Sequence, residues 1–395
     1  MSTHLSGNRL YYPHVDSIRG IAILMVVAFH AFSFTPCTEL QEASMRFLQA
    51  LSLGVPLFFI LSGFLISQIV FRQQQDFSFS SYAIRRFARI APAFLASIFL
   101  YLLLDGSLIH KPWDSLVLTF QNILTLPNLL QSIRTINPVS WSLLVEIHFY
   151  VYFPLLFFLC RRWLPHRAEW VTILTMAITS TLCRAYAWNL PSGTAGDTFF
   201  LINRFPNAMD YFCWGLLYSI FLSRNPGFLT HRKADYCTLS GVIVLLCVVT
   251  YFTVILTVTG EQTHLGRWWI HESIRLGIGV AGLLMLCTTH ISRHGVAFRL
   301  FGNKALRYIG LVSYEWFLIH LAIIPRVRFH LLDFMHAATQ FPDPRHAPST
   351  SGLLIFVITS AVGILVSFIA AALLHKWFSV PLMNVMRRRN STNAA

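Results

Sequence analysis

The chain has 395 residues, of which 55% are hydrophobic and only 12% are charged. Soluble domains carry about 25% charged residues, so disorder, a collagen or coiled-coil rod, a secreted disulfide scaffold and an ordinary water-soluble enzyme are excluded. The net charge of +14 fits an oriented membrane protein, with Lys and Arg gathered on one side, better than a nucleic-acid binder. The seven cysteines are scattered, at positions 37, 160, 183, 213, 237, 247 and 287, with no CxxC pair. They read as reduced thiols, not as a zinc site or a disulfide frame.

Ten apolar runs follow in chain order, at about 18–35, 51–71, 90–105, 139–160, 169–188, 206–222, 236–258, 271–290, 308–329 and 352–375. Each approaches the roughly 20 residues that cross about 30 Å of hydrocarbon at 1.5 Å per residue. Backbone groups in lipid must be satisfied internally, so the runs predict helices. The expected fold is all-α: a polytopic transmembrane bundle of about ten spans. The first run is full length and followed by many more, so it reads as a span and not as a cleaved leader. Ser115–Leu130 is apolar but short and holds Gln121, Asn122, Pro127 and Asn128. It reads as an interfacial or re-entrant helix, because counting it as a span would invert every loop after it.

With the N-terminus in the cytoplasm, 20 of the 30 Lys and Arg face the cytosol, 8 face outward, and Arg184 and Arg275 fall inside spans. That bias in short loops sets the orientation and puts both termini on the cytoplasmic side. Gly277-Ile-Gly-Val-Ala-Gly282 matches GxGxxG, but no strand precedes it, so it reads as small residues for close helix packing.

A charge at a bilayer centre costs roughly 2.5–3.5 kcal/mol on insertion scales, so the ionisable groups inside the spans carry the functional signal. Arg19 and His30 are eleven residues apart, three turns at about 3.6 residues each, and share one helix face about 16 Å apart. Asp16 lies near the same stripe. In Ser140-Trp-Ser142-Leu-Leu-Val-Glu146-Ile-His148-Phe-Tyr150, Glu146 sits about two turns from the outer surface, near the depth of His30. Ser142, Glu146 and Tyr150 share its face, whereas His148 points elsewhere and reads as packing. Arg86 and Arg89 are one turn apart at the cytosolic end of the third span. They serve as positive-inside anchors or as a clamp for phosphates, which guanidinium binds bidentately. Glu272 and Arg275, i and i+3, read as a self-neutralising pair. Arg204 and Asp210 at the outer end of the sixth span are a cavity wall or an ion pair. His320 is deep enough to line a cavity or to pack.

Together these segments resemble the acyltransferase 3 family of integral membrane acyltransferases, the OafA/YrhL-like proteins. The matching pieces run in order: Arg19 to His30, Val55-Pro-Leu-Phe-Phe-Ile-Leu-Ser62-Gly-Phe-Leu65, Arg86-Phe-Ala-Arg89, Trp141-Ser142-Leu-Leu-Val-Glu146 with Tyr150 and Pro154, Arg204-Phe-Pro206 to Gly215, and Ser313-Tyr314 to His320. Two departures are Ile147, where the family more often has a second acid, and Trp316-Phe-Leu-Ile-His320, where Leu-Tyr-Leu-Trp-His is common. The resemblance implies one membrane-embedded domain over 1–390 with a short tail at 391–395 and no SGNH hydrolase-like domain, in a bacterial inner membrane. It implies transfer of an acyl group, most often acetyl, from cytosolic acyl-CoA to a hydroxyl of a glycan, lipid-linked sugar or polysaccharide. The scattered cysteines and the charge pattern lead to the expectation of no metal and no nucleic-acid partner.

That chemistry needs a base for a hydroxyl, and imidazole titrates near neutral pH. His30 is the expected base, with Glu146 orienting the ring and stabilising the imidazolium; direct attack and an acyl-histidine route both stay open. Arg19, Arg86 and Arg89 would hold the CoA phosphates. Asp16, Ser62, Ser142, Tyr150, Arg204, Asp210, Tyr314 and His320 are further cavity candidates, with Tyr150 and Tyr314 as candidate oxyanion donors. The rival readings are a transporter or flippase for a polyprenyl-linked sugar, which would release no CoA, and a scaffold, which leaves the Arg19–His30 stripe without a reason.

Overall fold

The structure, a computed structural model, describes residues 11–32, 39–73, 76–106, 110–123, 135–189, 205–225, 227–258, 264–292, 295–339 and 350–392. These residues are helical throughout, joined by short turns, with no strand among them. The helices are α1 (Pro13–Phe32), α2 (Glu39–Ala50), α3 (Gly54–Gln73), α4 (Phe79–Leu104), α5 (Pro112–Ile123), α6 (Ser140–Trp163) and α7 (Ala168–Asn189). They continue as α8 (Met209–Arg224), α9 (His231–Val258), α10 (His264–Met285), α11 (Val296–Phe301), α12 (Lys304–Thr339), α13 (Thr350–Leu374) and α14 (Val380–Thr392).

Eight stretches are long and apolar enough to cross a membrane: Pro13–Phe32, Met45–Gln73, Phe79–Leu104, Ser140–Trp163, His231–Thr257, Trp268–His290, Lys304–Met335 and Leu354–Met386. The other two expected spans are helices as well. Met209–Arg224 has only 16 residues, about 24 Å of rise. Ala168–Asn189 is long enough, with 22 residues, but carries Glu169, Arg184 and a series of Thr and Ser. Pro92, Pro154 and Pro325 lie inside α4, α6 and α12 without ending them, as spans in lipid allow. The described part of the expected interfacial segment is α5, 12 residues long and so about 18 Å, too short to cross. Trp113, Leu116, Val117 and Phe120 are exposed along it and Ser115 is buried, a face suited to the membrane boundary. Residues 124–130 of that segment lie outside the described residues.

The chain forms two compact units, Met1–Met25 with Ala50–Arg72 and Val145–Leu311, and Val26–Gln49 with Gln73–Leu144 and Val312–Ala395. In lipid, helices associate through close packing and hydrogen bonds more than through withdrawal of apolar surface from water. The first unit shows this at the crossing of α3 and α8. A Cβ on Gly63 would lie 2.9 Å from the Phe212 carbonyl carbon, and one on Gly215 would lie 2.9 Å from the Gly63 carbonyl carbon. Only two glycines permit that approach. Phe212 stacks on Phe149 at 4.0 Å between ring centroids, and Phe149 on Phe153 at 5.3 Å. The GxGxxG run packs as expected, Gly279 against Trp214 and Gly282 against Ile60.

In the second unit, the part of α12 from Val312 onward packs against α13 and the turn before α6. Trp316 donates to Ser367 Oγ of α13 at 2.9 Å and packs edge-on against Phe368. Asn137, in the turn before α6, is buried and donates to both Ser97 Oγ of α4 and the Leu318 carbonyl, each at 3.0 Å. The six described cysteines are free thiols, and Cys37 lies outside the described residues.

Candidate active site

The second unit holds His30. Its Nδ1 lies 3.0 Å from the Val26 carbonyl one turn back and 3.1 Å from Nε2 of His320. The ring centroids are 4.9 Å apart. His320 is fully buried, and its own Nδ1 faces the carbonyls of Phe317 at 2.7 Å and Trp316 at 3.1 Å. His30 is half-buried. About two turns past His320, Arg328 is buried; it donates to the Ala31 carbonyl at 2.9 Å and lies over the Phe356 ring. Nothing local in the sequence tied Arg328 to α1, whose Ala31 carbonyl it binds.

Other sequence candidates of this unit are held locally. Ser142 donates to the Val139 carbonyl at 3.1 Å, and Tyr314 donates to the Ile90 carbonyl at 3.1 Å. Arg86 and Arg89 are both half-buried on α4, with the Arg86 guanidinium 5.6 Å from the Tyr82 ring centroid. Glu315 is buried and paired with His375 Nδ1 at 3.0 Å.

The first unit holds Glu146. Its Oε1 accepts from both Ser62 of α3 and Tyr150 one turn along α6. Tyr150 follows from the i, i+4 spacing on one helix, whereas Ser62 comes from a different helix that the Gly63 crossing fixes in place. The hydroxyl hydrogens of Tyr150 and Tyr314, the two candidate oxyanion donors, are thus directed at Glu146 and Ile90. At the start of α1, Tyr11 donates to Asp16 at 2.8 Å and Arg19 lies 3.7 Å from the same carboxylate. Burial, and then the Asp16 charge, push the Tyr11 phenol above its ordinary range, so it remains a donor to Asp16. His148 stacks on Phe205 at 5.3 Å, the packing role expected of it.

The buried charges of the first unit pair differently from the expected i, i+3 couple. Glu272 takes a two-point hydrogen bond from Arg184, Nε and Nη2 each at 2.8 Å. Arg275 instead binds Asp210, which also lies 3.1 Å from Arg184. Both guanidinium groups donate to the Asn207 carbonyl, at 2.8 and 2.9 Å. Helix packing, not spacing on one helix, chose these pairs. Arg204, the other partner considered for Asp210, lies outside the described residues. The network balances two arginines with two carboxylates, which fits a structural role joining α7, α8 and α10.

One unit thus holds an imidazole bound through one ring nitrogen, and the other a carboxylate bound by two hydroxyls. Residues 12–372 match the model of the Acyl_transf_3 family, described as an acyltransferase domain, and the chain belongs to that family. It is 25% identical to the peptidoglycan O-acetyltransferase OatA of Listeria monocytogenes over 352 residues, 80% of this chain and 50% of that protein. It is also 25% identical to the putative peptidoglycan O-acetyltransferase YrhL of Bacillus subtilis, over 81% of this chain and 50% of the relative. A putative O-acetyltransferase of Staphylococcus aureus is 22% identical over 82% of this chain and 52% of its own length. The chain thus spans about half the length of the curated relatives it matches. No solved structure matches it.

Proposed function

We propose that this chain is a bacterial membrane O-acyltransferase that moves an acetyl group from cytosolic acyl-CoA to a hydroxyl of a cell-envelope glycan or lipid-linked sugar. The observation that carries the reading is His30, an imidazole held at Nδ1 inside an apolar helix whose sequence lies within the acyltransferase match. His30 takes the proton of the attacking hydroxyl. Removing that proton makes the oxygen nucleophilic toward the thioester, a contribution of about 10²–10⁴-fold from a positioned base. Glu146, held by Ser62 and Tyr150, is the second residue assigned to catalysis. Arg86 and Arg89 are assigned to the donor's phosphates, and Arg19 to the same donor. The charge bias of the loops supports cytoplasmic termini in the inner membrane.

The proposed acceptor class is supported by the relatives, two of whose names specify peptidoglycan. Mass spectrometry of envelope glycans from cells with and without the protein tests it. The reading expects an acetyl ester that disappears with the protein, and glycans identical in the two strains would reject it.

A further inference from the structure

We infer that His320 is a positioning residue that fixes the tautomer of His30, so that the His30 Nε2 lone pair is the one that receives the hydroxyl proton. The inference rests on the reading of His30 as the base.

The geometry leaves one consistent arrangement of hydrogens on two neutral rings. Carbonyl oxygens only accept. His320 Nδ1 faces two of them, Phe317 at 2.7 Å and Trp316 at 3.1 Å, so it carries the hydrogen. A neutral imidazole has a single N–H, so His320 Nε2 is a lone pair. That lone pair lies 3.1 Å from His30 Nδ1, which also faces the Val26 carbonyl at 3.0 Å. Both neighbours of His30 Nδ1 are acceptors, so Nδ1 carries the hydrogen and Nε2 is the free base. The opposite assignment would set a nitrogen lone pair against a carbonyl oxygen at three contacts.

His320 itself is fully buried, so it reaches no substrate and acts through His30. Its ring is pinned by the two carbonyls of its own helix, and the turn is anchored by the Trp316–Ser367 hydrogen bond. In serine hydrolases a carboxylate binds the Nδ1–H of the catalytic histidine and sets its tautomer. Here a neutral imidazole takes that place. In the reaction the hydroxyl proton passes to His30 Nε2, the oxygen–acyl bond forms, the thioester C–S bond breaks, and the departing thiolate takes the proton back from His30. The hydrogen bond from His30 Nδ1–H to His320 strengthens while His30 is positive.

The test uses full-length protein in liposomes, with acetyl-CoA and a hydroxylated sugar acceptor, and compares His30→Ala, His320→Phe and His320→Gln. Phe keeps the ring volume without an acceptor, and Gln restores an acceptor oxygen. The expected result is that His30→Ala abolishes acceptor-dependent CoA release. His320→Phe should lower kcat by about 100-fold or more with both KM values little changed, and Gln should recover at least about 10-fold of that loss. In parallel, nitrogen NMR of ring-labelled histidine in the wild-type protein should show His30 with hydrogen on Nδ1. A wild-type kcat in His320→Phe, equal loss in Phe and Gln, or a wild-type His30 carrying its hydrogen on Nε2 would each overturn the role of His320 while leaving His30 as base. Activity retained in His30→Ala would instead overturn the base assignment and this inference with it. The NMR result decides the tautomer even where a variant fails to fold.

Discussion

Arg184 and Glu272 face each other in a two-point pair, Nε to Oε1 and Nη2 to Oε2, both at 2.8 Å. Arg184 is almost wholly buried, with 2% of its side chain exposed. A guanidinium in that position depends on its carboxylates, since removing one partner of a buried pair leaves the other charge uncompensated.

The first prediction concerns that network. Glu272→Gln and Asp210→Asn should each destabilise the protein, by an amount approaching about 3–5 kcal/mol for Asp210, whose carboxylate serves two arginines. The double variant Arg184→Met with Glu272→Leu, which removes both charges of one pair, should cost less than Asp210→Asn. Thermal unfolding in one detergent reads all three. Equal melting temperatures for Asp210→Asn and wild type would show that the network is not structural.

The pairing also shows where sequence reasoning stops. The ten apolar runs, the helices they form and the short fifth helix are written in local composition, because lipid forces each backbone to bond within its own segment. The i, i+4 contact of Tyr150 with Glu146 is equally local. Which helix lies against which is not local. His30 and His320 are 290 positions apart, and Arg184 finds Glu272 88 positions away. The i, i+3 spacing of Glu272 and Arg275 suggested a couple, but helix packing gave each a better-placed partner on another helix. Ser62 was visible only through a motif, since a serine in an apolar run carries no signal of the carboxylate it binds.

A second prediction follows from the two hydroxyls on Glu146. Hydrogen bonds to a charged group contribute about 1.5–3 kcal/mol, so Ser62→Ala and Tyr150→Phe should each lower the rate of acyl transfer by about 10-fold or more. Glu146→Gln should lose more than either. Because both hydroxyls serve one oxygen, the double variant should fall short of the product of the single losses. CoA release under saturating donor reads the series. Wild-type rates in Glu146→Gln would remove the carboxylate from the reaction.

A third prediction separates donor from acceptor. Arg86→Ala and Arg89→Ala should raise the apparent KM for acyl-CoA by about 10-fold or more, with the KM for the acceptor little changed. Lysine at either position should restore part of the loss, as a point charge without the bidentate fork. A larger change in the acceptor KM would move the donor site elsewhere.

The most direct test of the account is acceptor-dependent CoA release by the purified chain in liposomes, wild type against His30→Ala. A loss of about 10²–10⁴-fold or more in the variant, with insertion and melting temperature retained, is the predicted result. Equal rates in the two proteins, or no CoA released by the wild type, would contradict it.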